Sequence, residues 1–463
     1  MHDPTKSEHR MTTLPSGVRV VTERMPSVRS VALGFLIGAG SVGESEHEAG
    51  ISHLLEHMLF RGTERYGSQE IDQIFDGMGA ELNAGTDKEN TSVYTRVLDQ
   101  HLEKAFDVIS DMIWRPRFGE LETEREVVLE EIAMYEDDPQ DKVFDVLGEA
   151  VYGSHPLGRP VIGRAEVVGA VTVEQLRAFH ARRYDPQSIV VAAAGSVDHD
   201  ALVELALAGG PQSSPAASGE SDAAARAAGP SSVLAPAGAQ AASAMPAFEP
   251  RVRFLRKDTE QYHVCLGGPG LARDDERRYA LRVLDNVLGG SSSSRLFQEV
   301  RERRGLAYAV FSFANLHAHT GDVGLYVGTR PENLSEALSV LAEELAHFAS
   351  EPADEAELDR SRENAKGRIA LSLESTGARM NRLGASVLHE LPILTVEEVM
   401  QKIDAVGQDE LRRLAGELFA PERLSAAAIG PAEDAFGAAL EPLPALSALQ
   451  VSAAGTAVGE AVQ

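Results

Sequence analysis

Apolar residues in the first half of the chain form short runs and one helical pattern. The runs GVRVVTERM and VALGFLIGAG precede an apolar pattern of helical period from about Ala49 to Phe60, and SIVVAAAG closes the half. Unbroken or alternating apolar runs are typical of β-strands, whereas apolar residues every three or four positions indicate a helix. A long acidic helix is also predicted from about Leu121 to Tyr135.

The second half repeats this order. The runs VRFLRKD and YHVCLGG open it, a helix-rich stretch follows, and RLSAAAIG ends it much as SIVVAAAG ends the first half. The parallel predicts an α/β (α+β) fold built from two duplicated domains. Each domain is expected to be a mostly antiparallel sheet packed with helices.

Residues 209–250 separate the two halves. This stretch is rich in Ala, Ser, Gly and Pro and has almost no aromatic residue, so it cannot bury enough surface to offset the entropy of ordering it. We predict a long flexible linker there. The predicted divisions are an N-terminal tail (1–10), a first domain (11–208), the linker (209–250), a second, homologous domain (251–442) and a C-terminal tail (443–463).

Charge and composition exclude some classes of partner. The 463 residues carry a net charge of -28, which disfavours nucleic acid and anionic membranes as partners. The single cysteine, Cys265, rules out an intrachain disulfide and fits a reducing compartment. The N-terminal residues are polar and lack the apolar core of a signal peptide, so a cytoplasmic location is the expectation.

The segment HLLEH, residues 53 to 57, is the clearest candidate for chemistry. On a helix, His53 and His57 lie one turn apart on one face and can bind one ion, and Glu56 can reach a water on that ion. Zinc suits two imidazoles and a carboxylate, with a fourth position for water. Glu56 would then act as the base. Two core histidines with hydrogen-bonded rings are the alternative for this segment alone.

The acidic helix offers the third ligand. Glu124 and Glu131 are seven residues apart and share a face, with apolar residues between them. Glu131 as the ligand and Glu124 as the group that orients a histidine form a coherent arrangement. Glu130 is the competing candidate. It lies about 100° around the helix from Glu131, so both cannot easily coordinate one ion. A solvated acidic face is the alternative to any metal role.

These motifs resemble the pitrilysin/insulinase family of zinc peptidases, which carries the inverted motif H-x-x-E-H. The chain is most similar to the short branch that contains mitochondrial processing peptidase. GISHLLEHMLFRGTERY is similar to the family's metal helix, and EREVVLEEIAMYEDDP to its distal-ligand helix, where the family's ligand falls on Glu131 and its supporting glutamate on Glu124. The resemblance implies a zinc endopeptidase acting on peptides or unfolded precursor segments.

Further site residues follow from the resemblance. The stretch from Gly79 to Leu98 is similar to the family's substrate-binding edge strand and its neighbour, which implies peptide contacts at Asn83, Ala84, Gly85 and Thr86. LGGSSSSRLFQEVRERRGLAYAVFSF is similar to the C-terminal signature, whose paired residues fall on Arg301 and Tyr308. The implied roles of this pair are contact with substrate carbonyls and stabilisation of an oxyanion.

The resemblance also implies an oligomer. Longer family members hold four such domains in one chain, so two domains imply a homodimer in which Arg301 and Tyr308 of one chain serve the zinc of the other. The second half has no H-x-x-E-H, which leaves one zinc site per chain. An active subunit that requires a different homologous partner is the next alternative. A non-catalytic scaffold like the respiratory core proteins is the third, and the complete motif argues against it.

Overall fold

The computed structural model describes residues 9–211, 248–351 and 353–455. The predicted linker lies outside these ranges except at its two ends, as do residues 1–8 of the N-terminal tail and 456–463 of the C-terminal tail. Among the described residues, two six-stranded sheets and the helices packed on them make up the fold.

The first sheet has the strand order β1-β2-β6-β3-β5-β4. Its strands are β1 His9–Thr13, β2 Arg19–Arg24, β3 Ser30–Ile37, β4 Leu82–Thr86, β5 Thr91–Leu98 and β6 Ile189–Gly195. All neighbours run antiparallel except β2 and β6, which are parallel. Among the strands that the structure describes, β4 therefore lies at one edge of the sheet and pairs only with β5.

The second sheet has the order β12-β7-β11-β8-β10-β9. Its strands are β7 Val252–Arg256, β8 Tyr262–Pro269, β9 Ala307–Leu316, β10 Gly321–Thr329, β11 Ser425–Gly430 and β12 Val451–Ala453. Strand β7 is parallel to β11 and to β12, and the other pairs are antiparallel. The five strands β7-β11-β8-β10-β9 follow the same path as β2-β6-β3-β5-β4 of the first sheet, so the predicted duplicated, mostly antiparallel fold is confirmed.

Both predicted tails contribute to the sheets where the structure describes them. Strand β1 begins at His9, inside the predicted N-terminal tail, and pairs with β2. Strand β12, inside the predicted C-terminal tail, pairs with β7. The ordered sheets therefore extend beyond the predicted domain boundaries, because these strands are held by backbone pairing with β2 and β7, which an apolar pattern in the sequence does not reveal.

The helices of the described residues cover the two sheets. In chain order they are α1 Ile51–Leu59, α2 Ser68–Met78, α3 Leu102–Trp114, α4 Leu121–Asp137, α5 Pro139–Tyr152, α6 Ala165–Val168, α7 Val173–Arg183, α8 His199–Gly209, α9 Arg278–Leu288, α10 Leu334–Ser350, α11 Glu355–Ser372, α12 Thr376–Leu388, α13 Val396–Asp404, α14 Gln408–Leu418, α15 Glu433–Ala439 and α16 Pro444–Ser447. A π-helical segment, Phe297–Arg303, lies between α9 and β9.

The described residues form two compact units that differ from the predicted contiguous domains. The first unit contains the first sheet and includes residues 373–393 from the second half. The second unit contains the second sheet and includes residues 130–160 from the first half. Each half of the sequence therefore supplies one segment to the unit built mainly by the other half.

Helix α12 is the segment that the first unit gains. Its Met380, Leu383 and Val387 are buried against the first sheet, where they contact side chains of β2, β3 and β6. The close approach depends on Gly34, since a Cβ there would lie 2.5 Å from Met380 Sδ. In the second unit, α5 packs in the same way on β7, β8 and β11.

A buried ion cluster also holds α12 on the first sheet. Glu23, at the end of β2, is fully buried and pairs with Arg379 and Arg382 of α12. The cluster satisfies a carboxylate that has no access to water, which would otherwise be costly to bury. This contact makes α12 a structural part of the first unit.

Candidate metal centre

Helix α1 presents the H-x-x-E-H residues from a buried support. It begins after Gly50, whose φ of 100° lies in the left-handed region that favours glycine. The Glu44 carboxylate accepts hydrogen bonds from the backbone N–H groups of Gly50 and Ser52, at 2.9 and 2.8 Å, and so satisfies N–H groups at the buried N-terminal end of the helix. The apolar face of α1 is fully buried, at Ile51, Leu54, Leu55, Met58 and Leu59.

The opposite face of α1 carries His53 and His57. Their ring centroids are 4.7 Å apart and the ring planes meet at 71°. Burial, and then the neighbouring His57, lowers the pKa of His53 to about 4. His53 is therefore a neutral imidazole at physiological pH, which is the form that binds metal ions.

Glu131 of helix α4 completes a cluster with the two histidines. One ligand atom from each of the three residues lies within 4.8 Å of the others. Among the described residues, this is the one group of three or more possible metal ligands, and it contains Glu131 rather than Glu130. Two imidazole nitrogens and one carboxylate oxygen are the donors of a catalytic zinc site. The residues present therefore fit zinc.

Glu124 orients His57. Nδ1 of His57 donates a hydrogen bond of 2.8 Å to Oε1 of Glu124, which is 3% exposed. Because an ionised carboxylate only accepts, Nδ1 carries the ring proton and Nε2 keeps a lone pair for a metal ion. The other oxygen of Glu124 pairs with Arg61, directly after α1. Sequence reasoning missed Arg61, although a cation one turn after His57 was a usable signal.

Glu56, between the two histidines on α1, contacts the edge strand of the first sheet. The Thr86 hydroxyl, at the end of β4, donates a hydrogen bond of 2.6 Å to Oε2 of Glu56. The predicted base is thus held by a residue of the predicted substrate strand. Sequence reasoning placed Thr86 in that strand but did not foresee the contact of its side chain.

Strand β4 contains the four predicted substrate contacts and is an edge strand. Asn83 and Gly85 are exposed, while Ala84 and Thr86 are partly buried toward α1. A groove of about 670 Å³ opens beside Leu82 and Asn83, and its other lining residues include Phe60, at the end of α1. An extended peptide can therefore pair with the free edge of β4 and place a side chain in this groove.

Arg301 and Tyr308 form a pair within the second unit. The Arg301 guanidinium lies 4.4 Å from the centre of the Tyr308 ring and donates a hydrogen bond of 3.1 Å to its carbonyl oxygen. Arg301 lies in the last turn of the π-helical segment, a conformation that often marks functional sites. The Tyr308 side chain is 78% exposed and that of Arg301 33%, so both groups can meet a ligand.

A helix with two histidines and a glutamate beside a distant carboxylate, on a duplicated α/β fold, is typical of zinc metallopeptidases with the inverted motif. The model of the insulinase family (peptidase family M16) matches residues 19–165, and that of the peptidase M16 inactive domain matches residues 170–365. This chain belongs to peptidase family M16.

Relatives from bacteria support the family. An uncharacterized zinc protease of Streptomyces coelicolor is 42% identical over 93% of this chain and 92% of its own length. An uncharacterized zinc protease of Mycobacterium tuberculosis is 42% identical over 91% of this chain and 93% of its own length. One from Bacillus subtilis is 39% identical over 88% of this chain and 95% of its own length.

Solved structures share the fold. A protease from Helicobacter pylori superposes with a TM-score of 0.80 at 22% identity and covers 92% of this chain and 100% of its own. A peptidase M16 inactive domain from Pseudomonas fluorescens gives a TM-score of 0.77 at 22% identity over 92% of this chain and 98% of its own. Within the described ranges, every helix is too short or too polar to span a bilayer.

Proposed function

We propose that this chain is a zinc-dependent endopeptidase that hydrolyses peptides or unfolded precursor segments. The observation that carries the proposal is the cluster of His53, His57 and Glu131, whose ligand atoms lie within 4.8 Å of one another. The membership of family M16 and the zinc proteases among the relatives support the same cofactor. A cytoplasmic location stays a prediction from the sequence.

Each residue of the site has a distinct role in this proposal. His53, His57 and Glu131 hold the zinc ion, and Glu124 fixes the tautomer of His57. When bound, zinc supplies Lewis acidity, which activates water and polarises the scissile carbonyl. Glu56 removes a proton from the attacking water and later donates it to the leaving amine nitrogen. Hydrolysis of the peptide bond then yields a carboxylate and an amine.

Strand β4 binds the substrate in this proposal. The free edge of β4, at Asn83 to Thr86, pairs with the backbone of an extended peptide. Main-chain pairing is largely independent of side-chain sequence, which suits unfolded segments of varied composition. Folded proteins present few such unpaired strands, so they are expected to be poor substrates.

Two adjacent carboxylates of α4 provide a matched test of the metal centre. We expect Glu131→Gln to lose most of its bound zinc, because a ligand oxygen is replaced by a neutral amide, and Glu130→Gln to keep about one zinc per chain. His53→Ala should lose zinc as well. Elemental analysis of the purified variants measures the result, and hydrolysis of an unfolded peptide should follow the zinc content.

Three outcomes would contradict the proposal. If wild-type protein binds no zinc after dialysis against zinc, the proposed metal centre is wrong. If Glu131→Gln and Glu130→Gln contain equal amounts of zinc, Glu131 is not a specific zinc ligand. A zinc-loaded chain that cleaves no unfolded peptide, alone or with a homologous chain, would instead leave a metal-binding protein that is not a peptidase.

The proposed active form is a homodimer in which a second copy supplies Arg301 and Tyr308. These two groups offer donors to an oxyanion at the scissile carbonyl, where charge develops during attack. A heterodimer with a homologous chain is the alternative. Activity of the protein expressed alone favours the homodimer, and activity only after addition of the homologous chain favours the heterodimer.

Subunit mixing tests the homodimer. Glu56→Gln and Arg301→Ala homodimers should each be nearly inactive, because one lacks the base and the other lacks the oxyanion donor. After the two variants are mixed and exchange subunits, half of the dimers contain one chain of each kind. In such a dimer the Arg301→Ala chain keeps Glu56 and receives Arg301 from its partner, so one of the two sites is complete. The mixture should therefore recover about a quarter of wild-type activity. A mixture that exchanges subunits yet stays inactive would show that Arg301 does not act on the partner's site.

A further inference from the structure

We propose that Thr86 is a positioning residue whose hydroxyl holds the Glu56 carboxylate in place for proton transfer. This inference rests on the proposed peptidase function and adds to it. It gives strand β4 a second role, separate from pairing with the substrate backbone. The strand that receives the peptide also orients the base that acts on it.

The hydrogen bond between Thr86 and Glu56 is short and charge-assisted. Its length of 2.6 Å lies in the range of a hydroxyl that donates to a carboxylate. A threonine hydroxyl has one proton, so the proton of Thr86 is committed to Glu56. The Thr91 hydroxyl oxygen is the other neighbour of the Thr86 hydroxyl, but at 3.2 Å it is farther away than the Glu56 oxygen. The Thr91 hydroxyl gives its own proton to the carbonyl oxygen of Ala39, at 2.7 Å.

The backbone around Thr86 is fixed by the hairpin that joins β4 to β5. Thr86 pairs with Thr91 in the last register position of the two strands. In the turn, the Asp87 side chain accepts hydrogen bonds from the backbone N–H groups of Glu89 and Asn90, at 2.7 and 2.9 Å. The donor therefore stands on a rigid element, as an orienting group requires.

The surroundings of Glu56 strengthen the hydrogen bond that it accepts from Thr86. Tyr184 is almost fully buried, and its pKa is raised by burial and then by the negative charge of Glu56. The Glu56 carboxylate thus borders a buried part of the protein on one side. Because water has little access there, a hydrogen bond from a protein group contributes more than it would at an open surface.

The main chain and the side chain of Thr86 can be tested separately. Thr86→Val keeps the size and the β-branched shape but removes the hydroxyl, whereas Thr86→Ser keeps the hydroxyl. We expect Thr86→Val to lower kcat for a peptide substrate by about 10- to 100-fold, the worth of one hydrogen bond to a charged group. KM and zinc content should stay near wild type, and Thr86→Ser should restore most of the lost kcat.

Thr95→Val is the matched control. The Thr95 hydroxyl, on β5, donates to the carbonyl oxygen of Glu81 at 2.8 Å, at the other end of the same ladder and away from Glu56. The substitution removes an equivalent hydroxyl from the hairpin without touching the base. We expect similar losses of thermal stability in Thr95→Val and Thr86→Val, with kcat reduced only in Thr86→Val.

A second readout does not depend on turnover. In crystal structures of the zinc-loaded proteins, Glu56 should occupy one position in wild type and Thr86→Ser and several in Thr86→Val. An ordered Glu56 in Thr86→Val, or an unchanged kcat, would overturn the inference. A Thr86→Val protein that loses kcat, raises KM and is not rescued by serine would point to a damaged strand and also overturn it. Absence of zinc from wild type would instead reject the proposed function.

Discussion

Glu56→Gln is expected to reduce kcat for an unfolded peptide by roughly 10²- to 10⁴-fold, the usual contribution of a general base. The amide keeps the shape of the side chain and can still accept the hydrogen bond from Thr86, but it cannot take a proton from water. Glu56 is outside the cluster of ligand atoms, so zinc content should remain at the wild-type level. Steady-state kinetics together with elemental analysis measures both effects.

His53→Ala separates the loss of the base from the loss of the metal. Both variants should be nearly inactive, but only His53→Ala should lack zinc, because it removes a ligand nitrogen. Glu56→Gln should also bind a peptide with an affinity close to that of wild type. Near-normal hydrolysis by Glu56→Gln would mean that another group acts as the base.

The second large effect is expected at Glu23, which is buried under α12. Glu23→Gln should lower the free energy of unfolding by about 3 kcal/mol, because removal of one partner leaves the charges of Arg379 and Arg382 without their counterion. Both arginines are about one-quarter exposed or less, so we take the lower end of the range for buried pairs. The unfolding midpoint should fall by roughly 6–12 °C.

An exposed ion pair of the same unit serves as the control. Asp200 pairs with Arg10 at 2.7 Å, but both side chains are more than half exposed. Asp200→Asn should change the unfolding midpoint little, since exposed pairs contribute little. Hydrogen exchange should also become faster in α12 of Glu23→Gln and not in that of Asp200→Asn. Equal midpoints for the two variants would argue against a stabilising role of the buried cluster.

The local features of the fold were predictable from the sequence. The strands next to α1 follow from apolar runs, and α1 itself follows from a periodic apolar face. Candidate ligands could be named because four- and seven-residue spacings fix which helical side chains share a face. Spacing alone could not decide between Glu130 and Glu131, because the sequence does not show which side of α4 lies beside α1; the cluster of ligand atoms contains Glu131.

Local sequence patterns did not predict that each half of the chain supplies a helix to the unit built by the other half. Helices α5 and α12 were both missed, although Asp138 and Pro139 form a recognisable start for α5, and Ser375 caps α12. Even a correct assignment of α12 would not have told which sheet it covers, because that depends on complementary contacts such as Gly34 with Met380. The contacts of Arg61 and Thr86 are likewise long-range and need the folded chain.

Because α5 and α12 each belong to the unit built by the other half of the sequence, the gene cannot be divided between the two halves without a cost to both products. A cut between residues 212 and 247 would produce two polypeptides. Each would keep all six strands of one sheet but lose the helix that covers the apolar face of that sheet. Neither product should be monomeric and soluble by itself, since such a face would drive aggregation. Co-expressed, the two products can complement each other. Each half of the chain therefore depends on the other half for a helix that completes its core.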